Sequence, residues 1–143
     1  MTDIEKKIGT ASLKTIAVVV ALYFCGLFGA GFATRIDSPL VSRNQIEEIL
    51  NEEKRKLGIK EDIKVNIVMG DYIPHTKKTN EKEYEIYLPK GSTRFCNFTH
   101  ELYHVKDWDE HGDHETGYYL FWGEPMATIY SLKNRKMGRA EIK

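Results

Sequence analysis

The sequence predicts an α+β fold: a small antiparallel sheet packed with helices and preceded by one membrane-spanning helix. Three observations carry this expectation. Residues 15–34 are uncharged between Lys14 and Arg35. Apolar residues recur at helical spacing after Ser42 and again around Phe98. Between those helices, Ile63, Val65 and Ile67, and later Tyr84, Ile86 and Leu88, alternate with polar residues as half-buried strands do.

As a helix, the stretch from Thr15 to Thr34 would rise ~30 Å, about the hydrocarbon thickness of a bilayer. No polar face breaks the run, which disfavours a core helix. The competing expectation is a cleavable signal peptide, with Lys6, Lys7 and Lys14 as its basic flank and Gly31-Phe32-Ala33 as a small-x-small cleavage site. The run exceeds the usual ~7 to 15 residue apolar region of such peptides, so the anchor is preferred. Lys6, Lys7 and Lys14, set against Arg35 and Arg43, slightly favour an inside N-terminus. A single-pass membrane protein is expected, secreted if the segment is cleaved, with residues 1–14 as a tail and 35–41 as a linker.

Ser42-Arg43-Asn44-Gln45 reads as a capping box that starts a helix. Ile46, Ile49, Leu50 and Leu57 mark its apolar face, Glu52 to Arg55 its solvated one, and Gly58 stands where a left-handed cap is wanted. Two or three antiparallel strands follow, with Lys77-Lys78-Thr79-Asn80 read as a turn or loop between them. A second helix is expected from near Ser92 toward Asp109, and a third from Glu124.

The remainder, 42–143, is long enough for one modest core. Lys and Arg total 21 and Asp and Glu total 21, so no charge excess recommends nucleic acid as a partner. Cys25, inside the apolar segment, and Cys96 give little support for a disulfide framework.

The second helix carries His100-Glu101-Leu102-Tyr103-His104. Histidines at i and i+4 lie one turn apart on one face and can bind a single zinc, while the glutamate between them reaches the metal-bound water as general base. Chance alone would produce such a pentapeptide in roughly one sequence of sixty, so context decides. At about 100° per residue, Phe95, Phe98, Leu102 and Val105 cluster on one side, with His100 and His104 nearly opposite. The helix can bury one face and offer the other to metal.

A catalytic zinc takes three protein ligands and keeps one position open. Glu124 is the preferred third ligand: it opens a helix whose Ala127, Thr128 and Ser131 allow close packing. Asp107, Glu110 and His111 are the alternatives. A metzincin pattern is disfavoured, because it requires Gly at position 107 and His at position 110, where this chain has Asp107 and Glu110.

With Glu124 downstream on a following helix, His100-Glu101-x-x-His104 resembles the gluzincin metallopeptidases, with the spacing of their thermolysin-like branch. Glu124-x-x-Ala127 is also similar to the membrane-embedded prenyl-protein protease type, and the small size is similar to the minimal archaeal minigluzincins. The resemblance covers about Phe95 to Ser131. It implies a reduced zincin-like domain with a small antiparallel sheet, an active-site helix, a glutamate helix and an edge strand lining the cleft. Where such enzymes often carry Asp four residues after the third ligand, this chain has Thr128.

The expected activity is that of a membrane-anchored zinc endopeptidase acting on a protein or peptide substrate. Zinc-bound water attacks the peptide bond, and Glu101 takes its proton and passes it to the leaving amine. Tyr118 and Tyr119 lead the candidates to stabilise the oxyanion, ahead of His111 and His114; packing is their plain alternative. Substrate backbone is expected to pair with an edge strand at Tyr84 to Leu88. Cys96, one turn before His100, is either a buried space-filling thiol, the preferred reading, or a fourth ligand that holds the site latent. The alternative function is a silent or latent zinc-binding regulatory module of the same shape, against which the retained Glu101 argues.

Overall fold

Ser42 opens the first helix through the reciprocal cap its sequence encodes. Its hydroxyl accepts from the Gln45 backbone N–H, and the Gln45 side chain accepts from the Ser42 N–H at 2.8 Å. Helix α1 (Arg43–Leu57) ends at Gly58, whose φ of 76° lies in the left-handed region and whose N–H turns back to the carbonyls of Lys54 and Arg55. In this computed structural model, residues 15–23, 25–26, 29, 38–112 and 122–134 are described.

Strands β1 (Lys64–Gly70), β2 (His75–Asn80) and β3 (Glu83–Pro89) form one sheet in the order β1-β3-β2. β3 takes the centre because Tyr84, Ile86 and Leu88 are fully buried on one of its faces. β2 is polar throughout, and an edge is where lysine-bearing strands belong. Two expectations are corrected here. Residues 77–80 are strand, paired antiparallel to β3, rather than a turn or loop. The sheet is mixed rather than antiparallel, since β1 runs parallel to β3 with Ile67 opposite Ile86. The two apolar runs are neighbours in space, but the polar strand between them in sequence reverses the chain once more than a hairpin would.

Helix α2 (Phe95–His111) crosses the inner face of the sheet. Phe95, Phe98, Leu102 and Val105 are fully buried with Ile46, Ile63 and Ile86. It starts three residues later than expected, because the Thr93 hydroxyl binds the Pro89 carbonyl at 2.6 Å and holds the turn. Arg94, its cap residue, makes no side-chain cap bond. Ser38 supplies one from a distance: its Oγ accepts from the Cys96 N–H at 2.9 Å, while the Val41 and Phe95 N–H groups donate to the carbonyls of Thr93 and Pro39. Helix α3 (Glu124–Asn134) packs on α2 through Ala127, Thr128 and Ser131, with Pro125 in the first turn, where a missing N–H costs little.

The expected transmembrane helix over 15–34, and with it the single-pass localisation, is overturned. Among the described residues no helix is long and apolar enough to cross a membrane. Residues 15–23, 25–26 and 29 are helical, and the unbroken described stretch 15–23 rises about 14 Å against the ~30 Å a bilayer core demands. The Gly31-Phe32-Ala33 stretch lies outside the described residues.

Candidate metal centre

The helical repeat of α2 stacks His100 and His104 one turn apart, with their rings edge to face at 4.9 Å and their Nε2 atoms 3.2 Å from each other. Packing of α3 on α2 then brings in Glu124. Its Oε2 lies 3.3 Å from His100 Nε2 and its Oε1 3.4 Å from His104 Nε2. These three residues form a group able to hold a metal ion, with one ligand atom from each lying within 4.8 Å of the others. His104 is 1% exposed, whereas the side chains of His100 and Glu124 are 21% and 30% exposed. The group is therefore closed from below and open on one side.

The donor set suits a cation. Two imidazole nitrogens with lone pairs aimed at one point repel each other, and a carboxylate adds negative charge at the same point. A transition-metal ion with its positive charge between them removes both penalties.

Glu101, one residue beyond His100, is 5% exposed. Burial pushes its carboxyl above the usual range, and Glu124 adds to that; His100, His104 and a hydrogen bond from Thr76 pull the other way. The Thr76 hydroxyl on β2 lies 2.9 Å from Glu101 Oε2 and 2.9 Å from the Glu101 carbonyl.

The alternative third ligands sit elsewhere. Asp107 pairs with His111 Nδ1 at 3.2 Å, and Glu110 pairs with Lys106. Cys96 is buried, with its Sγ 3.7 Å from Asn97 Oδ1, and is not part of the group. Tyr118, Tyr119 and His114 lie outside the described residues. Tyr84 to Leu88, expected at the sheet edge, are central, and β2 is the strand beside Glu101. Thr76 was not legible as a site residue: in a run of six polar residues nothing marks which one faces inward until the register with β3 is known. Comparison of the chain with family models, curated proteins and solved structures gives no match.

Proposed function

We propose that the chain is a zinc-dependent peptidase of gluzincin type, with His100, His104 and Glu124 holding the metal and Glu101 acting as general base. One observation carries the reading. The two imidazole Nε2 atoms lie 3.2 Å apart, close to the ~3.3 Å edge of a tetrahedron built from ~2.0 Å metal–nitrogen bonds, and the Glu124 carboxylate spans the pair, with Oε2 3.3 Å from His100 Nε2 and Oε1 3.4 Å from His104 Nε2. Two imidazoles and one carboxylate with an open side are the donor set of a catalytic zinc rather than of calcium or magnesium, which take oxygen ligands.

When bound there, zinc supplies Lewis acidity, polarising a carbonyl and making a water acidic. The chain's own groups supply the rest. Glu101 accepts the proton of the attacking water and delivers it to the leaving amine. The outer edge of β2 offers backbone groups with which an extended peptide pairs, and the Thr76 contact sets that edge beside the base.

Cleavage of an unfolded protein such as casein by the zinc-loaded full chain tests the proposal. Glu101→Gln is expected to keep its zinc and lose about 10²- to 10⁴-fold in rate. Zinc retained by wild type without any cleavage favours the silent regulatory module instead.

A further inference from the structure

Strand β2 reads His75-Thr76-Lys77-Lys78-Thr79-Asn80, and Thr76 is the one residue of the six that is not exposed. Its register explains this. Thr76 pairs with Ile86 and Lys78 with Tyr84, so both point to the face that β3 buries against α2. Lys78 escapes by lying over the Tyr84 ring at 5.7 Å. Thr76 stays, where a plain packing role would be filled by valine or isoleucine, and its hydroxyl meets the side chain and the backbone of one residue at equal distances of 2.9 Å.

We infer that Thr76 is the positioning residue of the general base, holding the Glu101 carboxylate in its working rotamer through the reaction. The inference rests on the proposed role of Glu101. A hydroxyl has one proton and two lone pairs. While Glu101 is ionised, Thr76 donates to Oε2. Once Glu101 has taken the water's proton on its other oxygen, Oε1, Oε2 is still an acceptor, and Thr76 goes on donating to it or turns its proton to the Glu101 carbonyl. No atom heavier than hydrogen has to move, so the base stays in place between its two proton transfers. A glutamate on a helix otherwise has three side-chain torsions to fix, and small misplacements of a reacting group cost rate steeply.

Two measurements on the full chain test this together. In zinc-loaded protein, Thr76→Val removes the hydroxyl at constant shape; kcat is expected to fall about ten- to a hundredfold with KM within about twofold and zinc content unchanged, and Thr76→Ser to restore most of the rate. In metal-free protein, a double-mutant cycle of Thr76→Val with Glu101→Ala in urea unfolding is expected to show about fivefold coupling between the two sites. Absence of coupling overturns the inference whether or not the chain is a peptidase. Coupling with an unchanged kcat also overturns it, leaving a merely structural bond. Wild type that holds zinc and cleaves nothing sinks the peptidase reading and the catalytic meaning of Thr76 with it, while the coupling still decides whether Thr76 holds Glu101.

Discussion

Keeping a carboxylate 5% exposed costs free energy that the rest of the domain must offset. Glu101 is such a group, and its raised folded-state pKa fixes the sign of the effect. An acid that binds its proton more tightly when folded destabilises the fold at every pH above its folded pKa. The penalty fades as pH falls from that value toward the ordinary carboxylate range of about 4.3. Metal-free Glu101→Gln is therefore expected to unfold at higher urea than metal-free wild type at pH 7.5, with the gap narrowing at pH 4.5. A gap that widens on acidification contradicts the assignment. The pair His100 and His104 was legible at this scale, because the helical repeat alone stacks residues i and i+4. Thr76 was not, since its role depends on a pairing register that no local pattern encodes.

Between elements, two contacts decide how the site is held. Glu53 on α1 is 1% exposed, takes Lys56 Nζ at 2.8 Å and faces the Tyr130 hydroxyl of α3 at 3.4 Å. Burial and that carboxylate push the Tyr130 hydroxyl well above its ordinary pKa. Tyr130→Phe leaves the Glu53–Lys56 pair intact and removes a long bond to Glu53 and a contact with the Asn134 side chain, so it should cost under about 1 kcal/mol in urea unfolding. Glu53→Ala removes the buried carboxylate that both the Tyr130 hydroxyl and Lys56 bind, Lys56 keeping Glu52 at 3.0 Å, and should cost about 1 to 3 kcal/mol. The second contact is the cap that Ser38 places on α2 from 58 residues away. Ser38→Ala is expected to lower stability by about 1 kcal/mol, and an unchanged urea midpoint would remove Ser38 from the account. α1 and the core stripe of α2 were legible from capping and period. β2 was not: His75 to Asn80 has no apolar alternation, and its strand is imposed by pairing along the exposed edge of β3, a tertiary effect that overrides weak local preference.

For the molecule as a whole, the metal group is built from two helices, with nineteen residues between His104 and Glu124 in sequence, and their packing is what makes it a site. Metal binding should therefore stabilise the fold it depends on. A chelator is expected to lower the melting temperature of wild type by roughly 10 °C and to leave Glu124→Ala unmoved. The mixed order of the sheet was beyond reach of the two apolar strands alone, and the apolar segment misled because freedom from charge is necessary but not sufficient for a spanning helix. The most direct test of the metal centre is zinc per chain, measured on purified wild type, His104→Ala, Glu124→Ala and, as a surface control, Glu110→Ala. One zinc in wild type and in Glu110→Ala, with little in the other two, is the predicted result. Zinc undiminished in Glu124→Ala, or none in wild type, would contradict a centre formed by His100, His104 and Glu124.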